Sequence, residues 1–343
     1  MTAEPQLSRE IRLARRPSGL PLPEHFSIVE ATVRQPSGDE VLVRNRWFRI
    51  SISARTMISE GAENIKGIPF PAVKLGDTLA DAAIGEVISA PPESELKPGD
   101  RVSHHLGWRE YATVPLHECV PLRGAPIDPV AYLGHGWTAY AALTRGVQIR
   151  RGDTVFVSSG AGAIGSMAGQ IARKLGAGKV IGSTRSADKA AWMKSELDYD
   201  EVIVRGSVPV ATQLAEAAPD GIDVYVDIVG GEQLQAAAAS ARQGARFVLL
   251  GALTAELADD GARKVAPVTL DSFQLIIKGV TMRGYSADDD PDAFAEWIQR
   301  LAEWQRDGDM HLPRSTFVGI ENAPQALHEA CAGTLKGLVL VEL

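Results

Sequence analysis

The stretch VSSGAGAIGSMAGQIARKLGAGKVIGSTRSADK, residues 157–189, runs from an apolar strand through a glycine and alanine break into a helix and ends in a basic cluster. Gly160, Gly162 and Gly165 form GxGxxG between a strand, Thr154 to Val157, and a helix beginning near Ile164. In that setting the first glycine permits a tight turn, the second lets backbone approach a pyrophosphate, and the third lets helix pack on strand. Ile164, Ala168, Ile171, Ala172 and Leu175 fall on one helical stripe, and Gly176 is placed to stop the helix after Arg173 and Lys174. The amino end of the helix then faces the anion. Strand, loop, helix and following strand make a βαβ unit, which commits this part of the chain to a parallel α/β sheet around a dinucleotide.

Two textures flank that unit. Before it, HFSIVEATV, EVLVRNRWFRI, AAIGEVISA, DRVSHH and REYATVPL read as short strands broken by turns such as QPSGD and LKPGD, the pattern of a compact, mostly β domain. After GHGWTAYAAL, strands alternate with long helical stretches: DTVFVSS, KVIGSTR, GIDVYVDIVG and ARFVLLGAL, with SADKAAWMKSEL and EQLQAAAASAR between them. The final segment, from HLPRSTFVGI to LVLVEL, returns to short strands around one helix and is expected to rejoin the first domain.

Which dinucleotide is held depends on the end of the second strand, where an acid binds a ribose 2′-hydroxyl and a cation accepts a 2′-phosphate. GSTRSADK carries no acid from Gly182 to Arg185, whereas Ser183, Thr184, Arg185 and Lys189 offer two hydroxyls and two cations. That favours NADP, with Arg185 gripping phosphate oxygens as a bidentate fork.

Composition excludes other classes. A chain of 343 residues with 45% apolar residues supplies two packed cores. A net charge of -8 gives no general attraction to nucleic acid or anionic lipid. Cys119 and Cys331, the two cysteines, form neither a disulfide framework nor a cysteine zinc site, and a reducing cytoplasm is the expected setting. The first residues lack the apolar core of a signal peptide, and no run reaches the roughly 18 apolar residues of a membrane span.

The stretches LARRPSGLPLPEHF, EVLVRN, LKPGDRV, GWREYA, GWTAY, GAGAIGSMAGQIARKLG, GIDVYVDIVGG and IENAPQAL together resemble the medium-chain dehydrogenase/reductase superfamily, within it the zinc-independent NADPH-dependent alkenal and prostaglandin reductases. The resemblance implies a GroES-like, mostly β catalytic domain from residues 1–127 and 309–343, with a Rossmann doubly wound domain, residues 128–308, inserted. It implies a substrate cleft at their junction, hydride transfer from NADPH to the β-carbon of a small activated alkene, and a homodimer. By the same resemblance Gly162, Ala163, Ile164 and Gly165 line the pyrophosphate, and Thr138 sits near the nicotinamide. Lys189 meets the 2′-phosphate, Arg205 stands where the family has a tyrosine, and Val229, Gly230 and Gly251 pass beneath the cofactor.

Departures gather at the nicotinamide end. Ser51 to Arg55, SISAR, replace the family's D-P-Y-M-R; Ile228 and Leu335 stand where asparagines are expected, and SADDD follows MRGY in place of a tyrosine. Hydride transfer to an enone builds negative charge on the carbonyl oxygen, so donors aimed there matter most. His104, His135 and Tyr285 are the candidates, with His105 and Trp108 beside them; each histidine taken singly reads as structural or exposed. A quinone, imine or ketone acceptor, or NADPH binding without turnover, are the alternatives that these departures leave open.

Overall fold

The computed structural model describes residues 6–64, 71–123, 128–258, 265–308 and 310–343; residues 127 and 309, where domain boundaries are expected, lie outside the described residues. Six parallel strands form one sheet in the spatial order Glu201–Val204, Lys179–Thr184, Thr154–Val157, Ile222–Asp227, Ala241–Leu249 and Thr281–Gly284. This is the 3-2-1-4-5-6 order of a Rossmann fold, whose switch point lies between the strands ending at Val157 and Asp227. Thr154–Val157 is buried along its length, as a central strand covered on both faces must be. The first crossover helix, Gly165–Lys174, buries Ala168, Ile171 and Ala172 completely, and Gly176 follows its cap in a left-handed conformation.

A second, mostly antiparallel sheet is built on Glu40–Arg49, whose edges pair with Ala83–Ser89, Tyr111–Pro115 and Leu338–Glu342. Arg101–His104 and Val120–Pro121 extend it on one side and Arg314–Val318 on the other. The last segment of the chain therefore completes the sheet that the first began. Leu7–Leu13 pairs with Phe26–Thr32 as a separate ribbon. Its charged sequence LSREIRL hid that strand from pattern reading, although Ile11 and Leu13 are fully buried. Trp108 lies in the same core between Phe26 and Phe48, at ring separations of 6.3 and 5.7 Å. Fully enclosed there, it is a packing residue and not a donor to the cleft.

The two sheets are joined at the glycine loop. Gly337, just before the strand Leu338–Glu342, donates from N to Ala161 O at 2.9 Å and pairs with Gly162. Gly165 sits directly against Ser159 O and the Gly160 backbone, so an added methyl group has nowhere to go without moving backbone. Gly165→Ala should lower unfolding free energy by about 1–3 kcal/mol, the range for overpacking a filled site. Denaturant unfolding without added cofactor measures it, and an unchanged midpoint would contradict this packing.

Candidate cofactor and substrate cleft

The loop after Val157 turns on a residue other than the one the motif suggests. Ser159 holds the left-handed conformation, with φ 53°, while Gly160 has an ordinary negative φ. Ser159 N donates to Ser183 Oγ at 3.1 Å and Gly160 N to Ser183 O at 2.8 Å, tying the loop to the end of the neighbouring strand. Gly160 is needed for its size: Met193 and Tyr199 occupy the space a side chain would take. The Tyr199 hydroxyl donates to Gly165 O at 2.7 Å, which props the helix start from beneath. Gly162, Ala163 and Ile164 stay partly exposed above it.

Across the switch point, Asp227 closes the next turn. Its carboxylate accepts from Gly230 N at 2.7 Å, Tyr225 Oη at 2.9 Å and Val229 N at 3.0 Å. Burial raises the Asp227 pKa, while these donors favour its charged form. Ser158 Oγ accepts from Ile228 N at 2.8 Å, so both strand ends at the crevice are bonded to each other. Val229 is buried, and Gly251 lies just after the strand Ala241–Leu249, close enough that a side chain would press on Ile228 O.

Four cations converge beside the second strand. Lys189 Nζ donates to Gly333 O at 2.7 Å and Leu335 O at 2.6 Å, and Arg185 Nη2 donates to Ala332 O at 2.7 Å. The carbonyls of Ala332 and Gly333 end the helix Ala323–Ala332, where cations are favoured, and that of Leu335 lies just beyond it. Burial and then the charges of Arg185 and Lys336 push the Lys189 pKa down, and burial and then Arg185 do the same to Arg205. Arg205 Nε is buried without a partner, Glu232 being the carboxylate that acts on this guanidinium. Lys336 lies 4.9 Å over the Trp192 ring. Sequence reading missed Lys336, because only folding brings TLKG beside SADK. Ser183 needs the opposite correction. It is fully buried, accepts from Ser159 N and donates to Gln233 Oε1, so its hydroxyl belongs to the loop and not to a ligand. Thr184 is buried next to it.

At the other end of the crevice, His135 and Thr138 face each other, Nδ1 to Oγ1 3.4 Å, at the start of the helix Gly136–Ala141. Burial, with Arg49 nearby, holds His135 at about 3, so it is neutral in ordinary buffers. His104 is elsewhere engaged. It is buried in its strand, with Nδ1 accepting from Leu106 N at 3.0 Å and Nε2 facing Asn45 Oδ1 at 2.9 Å. Both nitrogens are thus committed to holding the sheet, a correction to its reading as a cleft donor. Tyr285 is likewise taken: its hydroxyl donates to Asp290 Oδ2 at 3.2 Å, and Asp290 also binds Arg145. Ser51 and Ser53, at the first family departure, bond to each other at 2.7 Å.

Known proteins point the same way. Residues 163–303 match the family model described as zinc-binding dehydrogenase, and residues 9–122 match the N-terminal domain of oxidoreductase. YfmJ of Bacillus subtilis (strain 168), whose name describes an NADP-dependent oxidoreductase, is 33% identical, covering 100% of this chain and 99% of its own. The NADPH-dependent curcumin reductase of Escherichia coli (strain K12) is 27% identical over 98% of this chain and 96% of its own. The crystal structure of CurA from Vibrio vulnificus in complex with NADPH superposes with a TM-score of 0.86 at 29% identity, covering 97% of this chain and 98% of that one. Although the first description names zinc, among the described residues no group of three or more His, Cys, Asp or Glu could hold a metal, and both cysteines are buried apart.

Burial also holds His104 at about 3. Unfolded histidine takes up its proton near pH 6.5, so from about pH 6.5 down to about 3 the unfolded chain binds more protons and stability falls as pH falls. Each of His104 and His135 should contribute up to about 1.4 kcal/mol per pH unit within that window. His104→Gln, which cannot titrate, should flatten the acid limb of unfolding free energy against pH; an unaltered slope would contradict the neutral, buried imidazole.

Proposed function

Because the chain belongs to the medium-chain dehydrogenase/reductase superfamily, in the branch of NADPH-dependent alkenal, prostaglandin and curcumin reductases, we propose that it reduces the carbon–carbon double bond of a small α,β-unsaturated carbonyl compound. It is an NADPH-dependent oxidoreductase. The observation that carries the cofactor part of this reading is the cluster of Arg185, Lys189, Arg205 and Lys336, in which burial and then neighbouring like charge lower the pKa of Lys189 and Arg205, and in which, among the described residues, Arg205 Nε is buried without a hydrogen-bond partner. A dianionic 2′-phosphate supplies the missing counter-charge. The residues of this chain fit the rest of the cofactor as well. Gly162, Ala163 and Ile164 offer partly exposed backbone at a helix amino end for the pyrophosphate, with Gly165 packed beneath them, and Gly251 and Thr138 are partly exposed toward the inner end of the crevice.

When bound, NADPH supplies a hydride to the β-carbon. The chain's own task is to hold the acceptor in line, exclude water, and offer a hydrogen bond where charge develops on the carbonyl oxygen. His135, neutral and beside Thr138, is the donor we assign to that oxygen. Curcumin, 2-alkenals and pulegone name the acceptors of the relatives, and all share an activated alkene. The serine pair at 51 and 53 in place of the aromatic hydroxyl favours, as a second reading, a related acceptor such as a quinone, imine or ketone. The exposed apolar residues Phe273, Ile276 and Ile277, on the helix Ser272–Lys278 that precedes the edge strand Thr281–Gly284, support a homodimer formed through that edge.

Incubation with NADPH deuterated at the transferring position and a panel of enals and enones should place deuterium on the carbon β to the carbonyl. Label at another atom would select the second reading, and no label would overturn both. Replacing Arg185 and Lys189 together by alanine should weaken NADPH binding by roughly 1.5–3 kcal/mol per lost contact while leaving NADH nearly unchanged. Equal losses would remove the 2′-phosphate assignment. Sedimentation should return a dimer that Ile276→Asp converts to monomer.

A further inference from the structure

Reduction of an activated alkene leaves an enolate that must gain a proton, and the residues discussed so far do not supply one. His135 is neutral with a depressed pKa, His104 is locked in its sheet, and Tyr285 is bonded to Asp290. The short helix Leu253–Glu256 follows Gly251 at the carboxyl edge of the parallel sheet. It leans on the switch-point turn: Leu253 N donates to Ile228 O at 3.2 Å, and Thr254 donates to Val229 O from N at 3.1 Å and from Oγ1 at 2.9 Å. Its far end reaches the other domain, where Leu257 packs with Ile52, Ala54 and Leu335 against the core that holds Cys331. Glu256 therefore stands where the cofactor crevice meets the segments that depart from the family pattern.

We infer that Glu256 is the proton donor of the reaction, a deduction that rests on the ene-reductase reading above. Its position between the two sheets is what makes the assignment. Among the described residues no lysine or arginine pairs with its carboxylate, whose polar neighbour is the backbone of Ala252. The titratable group facing it is Cys331 on the helix Ala323–Ala332, backed by Arg55, which is fully buried on Ala54–Ile58. Burial raises the Glu256 pKa above the ordinary carboxylate value, the direction a general acid needs. In the step, the hydride and its electron pair form the new bond at the β-carbon, and the alkene π pair moves to make the enolate. The Glu256 O–H bond then breaks, its proton goes to the α-carbon, its electron pair stays on the carboxylate, and water restores the proton.

Glu256→Gln keeps shape and removes the proton. With an enone turned over by the wild type, kcat should fall about 100-fold with KM and NADPH affinity nearly unchanged. The wild-type kcat should decline as pH rises through the raised carboxyl pKa, and that limb should vanish in Glu256→Gln and persist in the partly active Glu256→Asp. Infrared difference spectra of the protein without substrate, titrated across pH, should show a protonated carboxyl band in the wild type that Glu256→Gln lacks. Unchanged kcat and pH profile in Glu256→Gln would overturn this assignment alone, as would absence of that band. If the wild type reduces no alkene, the functional reading and this inference fall together, while the infrared band still reports whether the acid is present.

Discussion

The contact between Gly337 and the glycine loop governs the whole arrangement. One hydrogen bond, Gly337 N to Ala161 O, and the pairing of residues 162 and 337 fasten the last strand of one sheet to the nucleotide loop of the other. Everything placed near the crevice follows from that contact. Lys336 is the preceding residue, Leu335 and Gly333 offer the carbonyls that hold Lys189, and Cys331 faces Glu256. Displace the end of the chain and the cation cluster, the crevice wall and the acid all move together.

That junction also explains how four positive groups can sit together without being driven apart. The carbonyls of Ala332, Gly333 and Leu335 accept from Arg185 and Lys189, which are thereby solvated by a helix end in place of water. Such acceptors carry only partial charge, so the cluster still prefers a full anion. Burial also raises the pKa of Glu256, on the short helix that leans on the turn Asp227 closes.

Much of the fold is legible along the chain because the signals are local. The stripe Ile164, Ala168, Ile171 and Ala172 repeats at helical spacing, and TVFV reads as a buried strand because both of its faces are covered. The anion loop and Arg185 and Lys189 lie within one βαβ unit, so spacing alone brings them together. Leu7–Leu13 was opaque because its inward residues alternate with charges that lie on the solvent face of a ribbon. Gly160 was assigned a conformational role when its neighbours Met193 and Tyr199, thirty and more positions away, demand only its size.

The sequence by itself determined the βαβ alternation, the nucleotide loop and the preference for a phosphorylated ribose, since each depends on residues within one or two elements of one another, whereas the spatial order of the strands came from the fold. Tertiary structure alone decided which polar groups remained available. His104 and Ser183 looked like cleft residues and are consumed by Asn45, Leu106, Ser159 and Gln233, whereas Lys336 carried no local signature and is brought beside Lys189 and Trp192 by the return of the chain end, and Glu256 is carried on the short helix that leans on the switch-point turn. The physical reason is that a buried polar group must be satisfied by whichever partner folding delivers, and those partners are far away in the chain.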